Sequence, residues 1–260
     1  TMRTVTLAKQ YHQQSNLKVR LEFAAGTLHL APGEPTSLYD MRLSYDEERF
    51  VPISRFDATR NEVQLGVVRT GEGGLRVSSA EHLAQEATVT LTPRADLSLD
   101  LQLGAVDGTI ELGGLRLRQV HIGAAASRTE VRFSTANAAP CDVLALSAGA
   151  AEFSVSRLGN SRCRRVSFEG GVGDVTLDLT GDWNADADLD LRVAVGELTL
   201  RLPREVGVEI VLDRFLSTFQ PSGFTQTGRT YRSSGFAAAQ RKLHINLTSA
   251  VGGVKVEWDR

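Results

Sequence analysis

The chain has 260 residues, of which 42% are hydrophobic and 23% are charged, so it can bury the core of one large domain or two smaller ones. Its 29 Lys and Arg residues nearly balance its 31 Asp and Glu residues, and the resulting net charge of −2 argues against nucleic-acid binding through a basic field. No apolar stretch approaches the ~18 residues that a bilayer crossing needs, so no membrane span is expected.

Residues 1–96 carry strand patterning without a regular period. Apolar and polar residues alternate in runs such as Met41-Arg42-Leu43, Val63-Gln64-Leu65 and Val89-Thr90-Leu91. Such alternation is typical of strands with one buried face. The sequence therefore predicts an irregular, strand-rich N-terminal section that covers one end of the fold.

Residues 97–202 contain a hydrophobic pattern that returns about every 22 residues. Each copy reads apolar-x-apolar, six residues, apolar-x-apolar. The third apolar position of each copy, which we call the anchor, is occupied in turn by Ile110, Val131, Phe153, Val175 and Leu198. A steady period of this length indicates a stacked repeat. We therefore predict an all-β fold, a right-handed β-solenoid of ~22 residues per turn, with the anchors in one interior row.

Residues 203–260 are predicted to close the other end of the stack. They hold prolines and aromatic residues without a regular period, and then a last copy of the pattern at Ile245, Leu247, Val254 and Val256. An open solenoid end must be covered because exposed strand edges invite aggregation. We expect an irregular C-terminal cap and a single elongated domain over 1–260, present as a monomer or a weak oligomer.

The predicted stacking brings acidic residues into one column. The residues immediately before four of the anchors are Glu130, Glu152, Asp174 and Glu197. On adjacent turns they would lie ~4.8 Å apart on an outward face, where they could form an interaction ladder for a divalent cation or a basic partner. The alternative is a solvated face without a ligand, and screening by water beside the bend favours it.

The two cysteines, Cys141 and Cys163, are separated by one repeat. In a solenoid they would occupy matching positions on adjacent turns, ~4.8 Å apart, which is within reach of a disulfide. The alternative is a pair of small residues that stay reduced. The reduced pair is the favoured interpretation, and export of the protein would strengthen the case for a bridge.

No set of residues indicates catalysis or a cofactor. The five histidines are dispersed without metal-ligand spacing, and no nucleophile elbow, phosphate loop or dinucleotide motif opens a helix. Paired carboxylates in a solenoid groove remain an alternative, but the sequence singles out no such pair. We therefore expect a protein that is not an enzyme, with no cofactor and no metal.

Short glycine-containing segments carry a resemblance to a known family. The segments are Gly170-Gly-Val-Gly-Asp-Val-Thr-Leu-Asp-Leu179, Val193-Ala-Val-Gly-Glu-Leu-Thr-Leu200, Leu21-Glu-Phe-Ala-Ala-Gly-Thr-Leu28 and Ala250-Val-Gly-Gly-Val-Lys-Val256. They resemble the toast-rack family of bacterial proteins and the LiaF-type C-terminal domain, although the family's Gly-x-Gly at the bend is replaced by Ala24-Ala25-Gly26 and Ala194-Val195-Gly196. The resemblance implies a β-solenoid of the cell envelope, periplasmic or extracellular, with envelope-stress signalling in some relatives and no catalytic residues.

Three functional hypotheses follow. The favoured one is a non-enzymatic envelope protein that binds or scaffolds another protein or a cell-surface polymer. The second is a polysaccharide-acting enzyme with its site in a solenoid groove. The third is a filament that assembles end to end by strand pairing, and the aromatic C-terminal section argues against it.

Overall fold

The computed structural model describes residues 1–71, 85–150, 152–220 and 222–260. The described part is all-β, with 71% of its residues in strands. The described part holds two short 3-10 helices, Leu158–Ser161 and Phe236–Ala238, and seventeen strands. The strands are β1 (Met2–Gln10), β2 (Asn16–Pro32), β3 (Ser37–Asp46), β4 (Phe50–Asp57), β5 (Glu62–Arg69), β6 (Glu86–Leu91), β7 (Asp96–Glu111), β8 (Arg116–Ala124), β9 (Arg128–Arg132), β10 (Cys141–Ala150), β11 (Glu152–Ser156), β12 (Cys163–Asp178), β13 (Ala187–Leu202), β14 (Gly207–Gln220), β15 (Phe224–Thr227), β16 (Thr230–Ser233) and β17 (Lys242–Trp258).

Parallel strands form the body of the molecule. They lie side by side in the order β2, β7, β8 with β9, β10 with β11, β12, β13, β17 and β14. The alternating apolar side chains of these strands share one hydrophobic cluster that runs from Leu17 to Val256. Most of the inward-facing leucines and phenylalanines are fully buried, and each contributes ~1.5–3 kcal/mol to stability.

The long strands change their inward-facing side at a glycine. In β13 the buried positions are odd-numbered from Leu189 to Val193 and even-numbered from Leu198 onwards. Gly196, between them, has φ +135°, a conformation that L side chains rarely adopt. In β17 the buried positions likewise change from odd-numbered to even-numbered at Gly252, which also has a positive φ. Each long strand therefore has a first and a second half that face the same core across a bend.

The two ends of the stack differ. At the β2 end, β5 and β6 pair with β2 in parallel, and the antiparallel strands β4, β3 and β1 complete this section. At the other end the predicted irregular cap differs from the structure, because β14 is a regular strand of 14 residues. The last strand, β17, does not lie at the end; it pairs with β13 on one side and with β14 on the other.

The five anchors are all buried, but their row contains one shift. Ile110 is opposite Val131, and Val175 lies between Phe153 and Leu198. The predicted contact between Val131 and Phe153 is wrong, because Val131 pairs with Val155 instead. The β9–β11 register is displaced by two residues, and a displacement by two keeps the same faces inward.

A buried asparagine, Asn137, lies in the connection between β9 and β10 and joins three segments of the chain. The Asn137 side chain donates from Nδ2 to the carbonyl oxygens of Leu117 and Ser161, at 2.8 and 3.0 Å. Its Oδ1 atom accepts from the backbone N–H groups of Leu117 and Ala139. The side chain thus gives four buried backbone groups a hydrogen-bond partner.

Candidate functional site

Polar side chains form two rows on the outer face of β5, β2, β7 and β8. Strand pairing aligns one row as Glu62, Lys18, Ser98 and Gln119. It aligns the second row, two residues further along each strand, as Gln64, Arg20, Asp100 and His121. These eight side chains line an open pocket of about 370 Å³ over a floor of Val19, Val63 and Leu99. The pocket lies on regular strands, so its side chains have fixed spacing.

Charges in this pocket occur as opposite pairs. The Lys18 Nζ atom lies 3.5 Å from a Glu62 carboxylate oxygen, and an Arg20 guanidinium nitrogen lies 4.0 Å from Asp100. The Gln102 side chain donates to Asp100 at 2.7 Å. The pocket therefore offers hydrogen-bond donors and acceptors side by side without a strong field of one sign.

A second open pocket, of about 560 Å³, begins two residues further along β7 and β8, at Gln102 and Gly123. Small residues of β8, β10 and β12 create it: Gly123, Ser147, Ala148, Gly149 and Gly170 line its walls. A Cβ atom on Gly123 would lie only 2.6 Å from the Gln102 Oε1 atom. We call the two pockets together the polar groove.

The predicted carboxylate column is only partly assembled. Asp174 pairs with Glu197. Glu152 continues the column beside Asp174, because the next residues of the two strands, Phe153 and Val175, pair with each other. Because of the two-residue register shift, Glu130 lies opposite Ser154 and not opposite Glu152. The column of four predicted from the sequence is therefore a column of three, with Glu130 displaced.

Arginines neutralise two members of the predicted column. The Arg128 guanidinium donates to Glu152 at 2.8 Å, which raises the pKa of Arg128. Arg132 donates two hydrogen bonds to Glu130 at 2.7 Å and holds the pKa of that carboxyl below its ordinary value. These pairs leave less free negative charge for a cation than the sequence suggests.

Sequence reasoning missed an exposed apolar row on the bend. Val172, Val195, Val251 and Leu216 are consecutive strand neighbours, and they are 58%, 43%, 41% and 67% exposed. We call these four residues the apolar row. Each of the three valines directly precedes a bend glycine, and this Val-Gly dipeptide is the sequence signal that could have predicted the row.

Cys141 and Cys163 lie directly opposite each other on β10 and β12, with Cα atoms 4.4 Å apart. The structure joins their sulfur atoms in a disulfide. Both residues are buried at the start of their strands. The bridge thus ties two adjacent strands of the stack.

The residues that the structure describes hold no group of three or more His, Cys, Asp or Glu side chains placed to bind a metal ion. None of their helices has the length and apolar character that a bilayer crossing requires.

Two solved structures are similar to this chain over nearly its full length. The "putative cell adhesion protein" from Clostridium sporogenes ATCC 15579 is 15% identical, with 100% of each chain covered and a TM-score of 0.53. The "putative adhesin" from Bacteroides fragilis NCTC 9343 is 14% identical, with 98% of this chain and 97% of that chain covered and a TM-score of 0.37. The first of these shows a shared fold. No match was found among curated proteins.

The family comparison covers more than half of the chain. The profile of the N-terminal domain of toast_rack, DUF2154, matches residues 2–156 and 137–201. The segments that carry the resemblance in the sequence, such as Gly170–Leu179, lie on bent strands of the stack. The chain belongs to the toast-rack family.

Proposed function

We propose that this protein is a non-enzymatic binding or scaffolding protein of the bacterial cell envelope, and that it holds an extended cell-surface polymer in the polar groove. The observation that carries the proposal is the groove itself. Two adjoining pockets, of about 370 and 560 Å³, lie on the outer face of rigid parallel strands. A concave surface with several converging polar groups is the usual form of a binding site.

The chemistry of the groove favours an uncharged polar chain. Lys18 and Arg20 each lie beside a carboxylate, so neither cation is available alone for a polyanion. Gln64, Gln102 and Gln119 supply amide groups that both donate and accept hydrogen bonds. A polysaccharide, which carries many hydroxyl groups, matches this mixture of donors and acceptors.

Three finer points belong to the proposal. The stack is a right-handed solenoid of ~22 residues per turn, and residues 1–260 are one elongated domain. The protein is periplasmic or extracellular, which the disulfide between Cys141 and Cys163 supports because such bonds persist in oxidising compartments. A role in envelope-stress signalling rests on the family likeness alone.

Binding of purified cell-wall polysaccharides, on a glycan array and by co-sedimentation, tests the proposal. Arg20→Ala is expected to weaken binding about tenfold or more, since loss of a charged hydrogen-bonding group costs ~1.5–3 kcal/mol. Arg201→Ala is the matched control, because Arg201 is similarly exposed and pairs with Asp259 outside the groove. If the wild type and both variants bind the polysaccharide with equal affinity, the groove is not the binding site.

The groove also contains three carboxylates, Glu62, Asp100 and Glu169, which keep the polysaccharide-acting enzyme as a second candidate. Incubating the protein with the same purified polysaccharides distinguishes binding from cleavage. We expect the polymer to keep its chain length after prolonged contact with the protein. Release of shorter sugars that is abolished in Asp100→Asn would overturn the non-enzymatic proposal.

A further inference from the structure

The outer edge of β14 is only partly covered. One side of β14 pairs with β17 along its length. On the other side, β16 pairs only with Glu209, Ile210 and Val211, and the Leu212 N–H donates to the Arg229 carbonyl. Among the described residues, no strand pairs with that side from Asp213 to Phe219. The backbone there presents free N–H and C=O groups.

After the charged pair Asp213 and Arg214, the open edge has only apolar or uncharged side chains. Its last part reads Phe215-Leu216-Ser217-Thr218-Phe219, a segment without charge or proline and with high strand propensity. Phe215 is 79% exposed and Leu216 is 67% exposed, more than any other large hydrophobic residue in the described part. Natural edge strands carry Lys, Pro or a bulge to prevent pairing, and this segment has no such residue.

We propose that the open edge of β14 pairs antiparallel with the same edge of a second copy of this chain, giving a symmetric dimer. A two-fold axis near Ser217 places the uncharged segment of one copy against the uncharged segment of the other, so no like charges oppose each other. The two-fold axis also extends the apolar row across the dimer. Leu216 on β14 is the last residue of the row, so the rows of the two copies meet at the axis. A two-fold contact uses both edges completely, and it therefore ends at the dimer.

The size of the contact predicts a weak dimer. A covered phenylalanine side chain buries ~150–250 Å², so the two Phe215 side chains at 79% exposure offer roughly 300 Å². Leu216 and the strand backbones add to this, but a contact of one short strand on each side is small beside the ~1,200–2,000 Å² of stable interfaces. We expect a dissociation constant on the order of 10 µM. This inference goes beyond polymer binding, since either contact can exist without the other.

Sedimentation across a range of about 1–200 µM tests the dimer. The wild type is expected to shift from monomer to dimer with concentration, and Leu216→Lys to remain monomeric at every concentration. Val51→Lys is the matched control, because Val51 is a 45% exposed valine on β4 at the opposite end, and it should dimerise like the wild type. A wild type that stays monomeric throughout, or a Leu216→Lys variant that still dimerises, overturns the proposal.

A cysteine trap gives a second test that does not depend on a destabilised variant. Ser217→Cys lies beside the axis, so mild oxidation is expected to yield a covalent dimer on a non-reducing gel. Thr225→Cys, an exposed position on β15, should give little covalent product at the same concentration. The symmetric dimer is overturned if the two cysteine variants are trapped equally. It is also overturned if assemblies larger than a dimer form and Val51→Lys abolishes them, because the chain would then associate in a different way.

Discussion

Replacement of Gly196 by alanine probes one of the tightest contacts in the stack. Gly196 has φ +135°, and an added methyl group would overlap the carbonyl oxygen of Gly173 on the neighbouring strand. Backbone strain of this kind costs ~1–3 kcal/mol, and forced expansion of a packed contact adds ~1–3 kcal/mol. We expect the free energy of unfolding to fall by about 2–6 kcal/mol.

Gly235→Ala is the matched control for the bend. Gly235 also has a positive φ, +80°, but no atom lies within 4 Å of the added methyl group, so only the backbone strain applies. Urea denaturation followed by circular dichroism gives both free energies of unfolding. If the two variants lose the same free energy within ~0.5 kcal/mol, the close approach of strands at the bend is refuted.

Three further predictions concern stability. Asn137→Ala leaves up to four buried backbone groups without a partner and is expected to cost ~3 kcal/mol or more in urea denaturation. Reduction of the Cys141–Cys163 bridge, which closes a loop with a sequence separation of 22, should lower the free energy of unfolding by ~3 kcal/mol. The pKa of Glu209 is lowered by its hydrogen bonds from Arg232 and with His244. Its contribution is therefore complete above the ordinary glutamate pKa of ~4.3 and is lost as the pH falls through the lower folded-state value, which a pH series of melting temperatures measures.

Each of these has its own control. Asn246→Ala, at an exposed position on β17, should change the free energy of unfolding by less than ~0.5 kcal/mol. A thiol assay in denaturant should find no free thiol, and two free thiols would contradict the bridge. Glu209→Gln should flatten the loss of stability in acid, and an unchanged acid profile would mean that the ion pair is not coupled to folding.

The hydrophobic pattern predicted the strands and most of their neighbours, because alternation fixes which side chains face inward. It could not predict the shift between β9 and β11. Phe153 and Val155 are both apolar and both inward-facing, so either can lie beside Val131 without exposing a hydrophobic residue. The displacement of Glu130 from the carboxylate column follows from the same ambiguity.

The surfaces were harder to predict than the core. Lys18, Arg20, Asp100 and His121 are separated by long stretches of sequence, and only the strand register brings them to one face. Alternation marks such residues as outward-facing but does not say which of them are neighbours. The apolar row escaped the pattern for a different reason, since a valine beside a bend is exposed although its residue type suggests burial.

The position of β17 between β13 and β14 has a consequence for biosynthesis. A ribosome releases β14 before β17, so β14 has no parallel partner when it first emerges, and the β13 edge stays open as well. Strand β17 must then enter the gap and complete two ladders at once. This part of the protein therefore assembles only after translation has passed Trp258, and a chain stalled earlier would present two unsatisfied sheet edges to chaperones.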